Sequence, residues 1–231
     1  MRSSYIAGTG SYVPEEIISN FALEKMIDTT DEWIRTRTGI IERHIAHKNE
    51  ATSDLAVRAA QSALENAGLA AGDLDLIITA TVTPDMLFPS TGCLVQKKIE
   101  ARNAAAFDVA AACSGFLYAL KIGDQFIRSG QYENVLIVGA DTLSKITDWT
   151  DRNTCILFGD GAGAVILRAT EKPVGILSTL LYSDGAMSDM LYVPAGGSLQ
   201  PASEETVHNR LHYITMRGNE LFKIAIKAMT E

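Results

Sequence analysis

The chain has 231 residues, of which 47% are hydrophobic and 21% charged, so it can bury the core of one large domain or slightly more. Its formal net charge of −8 argues against general nucleic-acid binding, because phosphate contacts need a concentrated positive field. No run approaches the roughly 18 apolar residues of a membrane helix, and no long apolar signal segment follows the N-terminus. We therefore expect a soluble protein that is neither exported nor inserted into a membrane.

The first elements alternate between strand and helix patterns. Residues 4–9 read as a strand, and Asn20 is a predicted cap for a short helix. Thr29 and Glu32 have the spacing of a capping box, and Gly39 is a stop signal for the helix that follows. This pattern predicts two short helices after the first strand.

The following region has the pattern of βαβ units. Thr52 opens an amphipathic helix that Gly68 ends, and Leu74 to Thr81 is a continuous apolar strand of the kind that is covered on both faces. The remaining predicted elements are a helix at 90–99, a strand at 104–110, a helix at 113–129 and a strand at 134–140. Strands alternating with helices of this length predict a mostly parallel sheet.

A basic segment at 35–48 stands out in this acidic chain. It contains Arg35, Arg37, Arg43 and Lys48 against the single acidic residue Glu42. One interpretation is an ordinary solvated face. The other is a landing site for an anionic group, such as a nucleotide phosphate or an acidic carrier protein.

Cys113 is the most informative of the three cysteines. It lies where the strand-like run 104–110 meets a predicted helix, and a helix N-terminus favours the thiolate, so Cys113 is a candidate nucleophile. The alternative is a small buried hydrophobe at a tight junction. Cys93 lies in a predicted helix and Cys155 in a strand-like run at 155–158, so both are interpreted as structural. An odd number of cysteines without a CxxC pair favours a reducing cytoplasm over disulfides or a zinc site.

A glycine-rich run at 159–163 is similar to a phosphate-binding loop. The residues that follow, 164–167, read as a strand, whereas a dinucleotide-binding loop leads into a helix. We therefore reject a Rossmann site. A turn that brings two backbones together is the preferred interpretation of these glycines.

Three motifs together resemble one enzyme family. The runs TDEWIRTRTGI at 30–40, DVAAACSGF at 108–116 and FGDGAGA at 158–164 closely resemble β-ketoacyl-acyl-carrier-protein synthase III, the initiating condensing enzyme of type II fatty-acid synthesis. The resemblance extends from Tyr5 to the final helix. It implies an α/β thiolase-like fold with αβαβα layers, in which 1–170 form the complete N-terminal half and 171–231 only begin the second half.

The resemblance also implies an acyltransferase and assigns its site residues. Cys113 would accept a short acyl group from a CoA thioester such as acetyl-CoA and pass it to malonyl-acyl-carrier protein, with release of CoA and CO₂. The implied substrate-binding residues are Trp33 and Arg152 around the adenine ring, Thr29 and Arg37 near the nucleotide, Phe88 and Leu143 in the acyl pocket, Asn219 and Phe222 along the pantetheine tunnel, and Phe158. Without the resemblance, Trp33 would be interpreted as a core residue. A cytoplasmic homodimer is implied, in which Phe88 reaches the neighbouring subunit, with no cofactor and no metal.

One part of the family pattern is missing. Condensation in this family needs a His and an Asn, but His44, His47, His208 and His212 all lack the His-Gln-Ala-Asn context. Residues 174–181 and the helix from about Gly218 echo the opening strand and first long helix, and the chain stops in helical period, so we expect a C-terminally truncated enzyme with impaired activity. The alternatives are a non-catalytic thiolase-fold subunit or half-enzyme completed by another chain, and a related CoA-dependent Claisen enzyme, such as a polyketide starter enzyme or a hydroxymethylglutaryl-CoA synthase.

Overall fold

The computed structural model describes residues 2–230; Met1 and the terminal Glu231 lie outside the described residues. The chain forms two compact units. The first unit comprises the described residues of Met1–Glu16, His44–Thr142 and Asp160–Leu181, and the second comprises those of Ile17–Arg43, Leu143–Gly159 and Tyr182–Glu231. The predicted division into thiolase-like halves, 1–170 and 171–231, is a different partition of the chain and stays a prediction.

The helices and strands follow one another in this order: β1 (Ser3–Tyr12), β2 (Glu16–Ser19), α1 (Asn20–Leu23), α2 (Asp31–Thr38), β3 (Glu42–Ile45), α3 (Thr52–Ala67), β4 (Leu76–Ala80), α4 (Thr91–Lys98), β5 (Ala105–Val109), α5 (Gly115–Arg128), β6 (Asn134–Thr142), α6 (Arg152–Cys155), β7 (Asp160–Thr170), β8 (Leu191–Tyr192), α7 (Glu204–His208), β9 (Thr215–Met216) and α8 (Gly218–Thr230).

A five-stranded sheet in the order β1-β7-β6-β4-β5 forms the centre of the first unit. Its strands β5, β4 and β6 run parallel, whereas β7 is antiparallel to both β6 and β1. All five residues of β4 are buried, as its unbroken apolar sequence predicts. The βαβ interpretation of 74–140 is therefore confirmed.

Helices cover both faces of this sheet. Alanines of α3, together with Val95 of α4, pack on one face against Ile77, Leu136 and Ile166. On the other face, Ala119 and Ile127 of α5 pack against the alternate residues of the same strands. The small side chains of α3 let this helix lie close to the sheet, which fixes the strand ends that carry the candidate nucleophile.

The second unit has its own small core, built from Leu23, Ile34, Cys155 and Ile156. Arg43 is buried beside this core, with only 4% of its surface exposed. Its guanidinium donates hydrogen bonds to the carbonyls of Ile18 and Ile156 and to Asn20 Oδ1, at 2.9–3.0 Å. A buried charge is tolerated where such acceptors surround it.

The helix caps near the N-terminus differ by one residue from the predicted ones. Ser19, not Asn20, caps α1, which ends at Leu23. Asn20 is buried, and its amide donates to Asp31 Oδ1 and to the Ile40 carbonyl. Thr30, not Thr29, caps α2, because its extended backbone lets its hydroxyl accept from Trp33 N at 3.1 Å.

Two further expectations about strands are wrong. Cys155 ends the short helix α6 instead of lying in a strand, because Asp151 caps that helix by accepting from Asn153 N. Residues 174–181 form no strand. Their only backbone hydrogen bond to a described strand is the one that Ile176 N donates to the Ser4 carbonyl. An apolar run becomes a strand only where a partner strand satisfies its backbone.

The glycine-rich run is strand and not turn. From Asp160 onward it belongs to β7, where Gly163 lies between Ser11 of β1 and Gly139 of β6. The rejection of a Rossmann loop is confirmed, but the turn interpretation is wrong. The Asp160 carboxylate accepts from Ala46 N at 2.6 Å and so fixes the start of the strand.

Candidate active site

Cys113 lies in a sharp turn between β5 and α5. It occupies a single 3₁₀ turn, Ala112–Ser114, and α5 begins only at Gly115, not at Cys113 as expected. The preceding Ala112 has a φ of 45°, a left-handed conformation that is strained for a residue with a Cβ. Cys113 is exposed, so the interpretation as a buried hydrophobe is wrong. The turn presents the thiol at the carboxyl edge of the parallel strands, where open α/β sheets bind ligands.

Close packing holds this turn in place. A Cβ on Gly115 would lie 3.2 Å from the Ala80 Cβ at the end of β4, a tight contact that a larger residue could make only with a small displacement of its neighbours. The Ser114 amide donates to the Ala111 carbonyl at 3.2 Å and closes the turn. Strain of this kind persists only where the surroundings fix it, and it is concentrated at functional sites.

The other two cysteines have different surroundings. Cys155 is fully buried, and burial raises the pKa of its thiol to about 11. Cys93 is half-buried, with its sulfur 3.7 Å from the Ala106 carbonyl. A buried thiol with a raised pKa is a poor nucleophile, which supports the structural interpretation of Cys155. The partial burial of Cys93 inside α4 is consistent with the same interpretation.

Trp33 is the centre of a cluster of cations in the second unit. The guanidinium of Arg37, one turn later on α2, lies 4.4 Å from the indole centroid, and that of Arg152 lies at 4.8 Å. Arg152 also donates to the Asp28 carbonyl at 3.0 Å. An aromatic ring with two guanidinium groups close to it provides stacking partners for a flat, electron-rich ligand.

A cavity of about 830 Å³ extends from this cluster. Four of the predicted substrate-binding residues line it: Trp33, Arg37, Asn219 and Phe222. Sequence reasoning missed its other apolar walls, which include Ile156, Leu157 and Met216. The cavity therefore combines a cationic, aromatic end with apolar walls that suit a flexible chain.

The remaining predicted residues occupy different environments. Thr29 is half-buried, and its hydroxyl oxygen is buried without a hydrogen-bond partner among the described residues. Leu143 and Phe158 are half-buried, whereas Phe88 is 83% exposed. Cys113 and Phe88 belong to the first unit, and the other predicted site residues belong to the second.

Two carboxylates near the carboxyl ends of β5 and β6 were not predicted from sequence. Asp108 accepts from the Thr91 and Gly92 amides in the first turn of α4, and Asp141 accepts from Thr81, Val82 and Thr83. The signal that could have found them is their position near the carboxyl ends of the parallel strands β5 and β6.

The basic segment at 35–48 is not one continuous charged surface. Arg43 is buried, and Arg35 pairs with Asp31 at 3.3 Å. Arg37 lies over the Trp33 ring, so one residue of the basic segment belongs to the cluster around Trp33.

Among residues 2–230, no group of three or more His, Cys, Asp or Glu side chains is arranged to hold a metal ion. None of the helices in this range combines the length and the apolar character that crossing a bilayer requires.

Comparison with known proteins places these features in one family. Residues 107–185, which include Cys113, match the family described as 3-oxoacyl-[acyl-carrier-protein] synthase III. The chain is 60% identical to the β-ketoacyl-[acyl-carrier-protein] synthase III of Caldanaerobacter subterraneus over 97% of its own length and 68% of that protein.

Solved structures agree with this match. The 3-oxoacyl-[acyl-carrier-protein] synthase III of Aquifex aeolicus is 49% identical, with a TM-score of 0.85 over 96% of this chain and 67% of that one. A priming β-ketosynthase of a polyketide biosynthetic pathway is 32% identical, with a TM-score of 0.87 over 97% of this chain and 66% of that one. The fold is thiolase-like, and the chain spans about two thirds of the length of these relatives. The chain therefore belongs to the β-ketoacyl-[acyl-carrier-protein] synthase III family, the condensing acyltransferases that initiate fatty-acid synthesis.

Proposed function

We propose that Cys113 takes a short acyl group from an acyl-CoA and transfers it to the malonyl group on acyl-carrier protein. The observation that carries the proposal is the exposed thiol on a strained turn at the carboxyl edge of the parallel strands. The Cys113 sulfur attacks the thioester carbonyl, the new S–C bond forms, and the bond to the CoA sulfur breaks. CoA leaves with the proton, and the acyl group waits on the enzyme for the second substrate.

The Trp33 cluster is the proposed binding site for the adenine of CoA. The guanidinium groups of Arg37 and Arg152 lie 4.4 and 4.8 Å from the indole centroid, and this group of aromatic and cationic side chains is the proposed stacking surface for adenine. The adjoining cavity, with Asn219 and Phe222 in its wall, is the proposed path of the pantetheine arm. Thr29 is proposed to contact the nucleotide, and its unpartnered hydroxyl supports this.

Phe88, Leu143 and Phe158 are the proposed apolar contacts of the acyl group. Phe88 is exposed together with Leu87 in the loop at 81–90, and we propose that this loop lies at the interface of a homodimer. Sedimentation analysis of Phe88→Ser should show a weaker dimer than the unmodified chain. Equal dimer dissociation constants for the two would exclude Phe88 from the interface.

We propose that the reaction uses no cofactor beyond its substrates and takes place in the cytoplasm. The odd number of cysteines without a CxxC pair supports a reducing compartment. The CoA thioester and the malonyl thioester themselves supply the activated carbon and the CO₂ leaving group.

Condensation by this 231-residue chain is proposed to be impaired. Two of its four histidines contact other groups: His44 Nδ1 contacts the Pro14 carbonyl, and His212 Nε2 lies 2.9 Å from Thr206 Oγ1. Neither stands in the family's His-Gln-Ala-Asn context. We expect no release of ¹⁴CO₂ from labelled malonyl-carrier protein above background, and substantial release would contradict this proposal.

Acyl transfer is tested with radiolabelled acetyl-CoA and the three cysteine variants. Cys113→Ala should abolish labelling of the protein, because it removes the attacking sulfur, whereas Cys93→Ala and Cys155→Ala should retain it. A labelled Cys113→Ala protein would show that the assignment is wrong. An unlabelled wild-type chain would favour the non-catalytic subunit.

A priming role in polyketide synthesis is the second candidate, favoured by the likeness to the priming β-ketosynthase. Fatty-acid and polyketide carrier proteins, each loaded with malonate, would distinguish the two as acceptors of the acyl group from the labelled enzyme. Preference for the polyketide carrier would support the second candidate.

A further inference from the structure

The loop at 81–90, which joins β4 to α4 and carries Phe88, is anchored at its start by Asp141. One oxygen of this carboxylate accepts three hydrogen bonds, from Thr81 Oγ1 at 3.0 Å, Val82 N at 2.9 Å and Thr83 Oγ1 at 3.0 Å. The Thr83 hydroxyl in turn accepts from Thr142 N at 2.8 Å. The first residues of the loop are therefore tied to the carboxyl end of β6.

Asp108 anchors the other end of the loop. Its two oxygens accept from Thr91 N at 2.6 Å and Gly92 N at 2.7 Å, while Ser90 Oγ accepts from Cys93 N at 3.2 Å. The Thr91 and Gly92 amides lie at the start of α4, where the helix provides no carbonyl acceptor for them. The Cys93 amide also donates to the Ser90 carbonyl at 3.1 Å. A carboxylate at this position also interacts favourably with the positive end of the helix dipole.

Helix α4 and strand β5 are closely packed at Gly92. A Cβ on Gly92 would come within 3.0 Å of the Phe107 carbonyl oxygen and 3.3 Å of Asp108 Oδ1. The start of the helix thus lies directly against the strand that leads into the Cys113 turn. A small displacement of α4 is therefore transmitted to β5, because close-packed protein interiors are nearly incompressible.

We infer that Asp108 and Asp141 are positioning residues that fix the Phe88 loop relative to Cys113. The inference rests on the proposed roles of Cys113 and Phe88. Asp108 lies on the strand that leads into the Cys113 turn, and Asp141 lies near the end of the neighbouring strand β6. Together they hold both ends of the loop at the edge of the sheet that presents the nucleophile. Between these ends, Asp85 also accepts from Ser53 N and Oγ at 2.8 and 2.6 Å, and the exposed apolar part of the loop is its tip, Met86 to Phe88. Their function is to set the rate at which Cys113 is acylated and, through the Phe88 that each subunit of the proposed dimer extends to its neighbour, the chain length that is accepted.

The test compares Asp108→Asn and Asp141→Asn with a matched control, Asp75→Asn. Asp75 Oδ2 accepts from Glu133 N at 2.8 Å and Asn134 N at 2.9 Å, the same type of bond at the opposite edge of the same sheet. Acylation of Cys113 is followed by intact mass with acetyl-CoA and with butyryl-CoA. Gly92→Ala disturbs the Asp108 contact from the helix side.

Asp108→Asn, Asp141→Asn and Gly92→Ala should each lower the acylation rate at saturating acetyl-CoA about tenfold, because small misplacements of reacting groups are costly. These three variants should also change the ratio of acetyl to butyryl transfer. Their KM for acetyl-CoA should stay within about twofold of the wild-type value. Asp75→Asn should alter only thermal stability. Equal behaviour of the Asp108, Asp141 and Asp75 variants would overturn the inference.

A second measurement separates this inference from the proposed function. Iodoacetamide alkylates an accessible cysteine without any CoA site, and peptide mass analysis quantifies it at Cys113. If the wild-type chain accepts no acyl group, the proposed function fails. Even then, a Cys113 alkylation rate that changes in Asp108→Asn and not in Asp75→Asn supports the positioning role. Unchanged alkylation in all variants would contradict that role independently.

Discussion

Arg43 shows how much a single buried charge contributes to the second unit. Replacing it with Met removes three hydrogen bonds to Ile18, Asn20 and Ile156 and leaves their acceptors unsatisfied. We expect a loss of about 2–4 kcal/mol in the free energy of unfolding, measured by urea denaturation. The control is Arg35→Met, which removes a single ion pair that an exposed arginine makes with Asp31 and should cost less than about 1 kcal/mol. Similar small losses for the two variants would show that the buried bonds are weak.

Residues with local determinants could be predicted from the sequence, and those with distant partners could not. The nucleophile candidate Cys113 follows from one strand-to-helix junction, which lies within a few residues of it. Arg43 looked like part of a basic surface because its acceptor at Ile156 is far away along the chain. Asp108 and Asp141 were missed for the same reason, since their partners belong to other segments.

At the scale of elements, the packing of α3 against β1 depends on glycine in the strand. A Cβ on Gly10 would collide with the backbone at Ala59 and Ala63, which cannot move without displacing the helix. Gly10→Ala should therefore destabilise the first unit by about 1–3 kcal/mol or more in thermal unfolding. Gly163→Ala is the matched control on β7, because its Cβ would meet nothing within 4 Å. A control as unstable as Gly10→Ala would mean that loss of glycine itself, not the collision, is responsible.

Elements that pair with a neighbour were predicted well, and those that lack one were not. The long helix from Thr52 to Gly68 and the strands of the βαβ region carry strong periodicity and form as expected. Residues 174–181 have the same apolar composition but pair with no described strand, and Leu177 is 87% exposed. Hydrophobic pattern alone does not show whether a partner strand exists.

At the scale of the whole molecule, stability against unfolding at low pH should depend on the ionisation of Asp148. Hydrogen bonds from Arg210 and Thr150 lower the pKa of this carboxyl to about 2, from an ordinary value of 3.8. Its stabilising contribution is therefore complete above about pH 4 and is lost as the pH falls through 2. Asp148→Asn should be less stable than wild type at pH 7, and the difference should shrink between pH 4 and pH 2 in thermal unfolding.

A matched exposed pair provides the control for this pH dependence. Asp189 contacts Arg217 at 3.1 Å, and both side chains are more than half exposed. Asp189→Asn should differ little from wild type at any pH, because solvent screens such pairs. A gap between Asp148→Asn and wild type that stays constant from pH 7 to pH 2 would show that Asp148 does not titrate in this range.

The position of β1 in the sheet constrains the order of events during synthesis. Ser3 pairs with Thr170, so the first strand to leave the ribosome has its hydrogen-bonding neighbour among the later ones. The crossover units between β4 and β6 involve much shorter separations and can close first. The N-terminal strand therefore has no strand partner when the nucleophile turn is synthesised, and it joins the sheet only after β7 has been made.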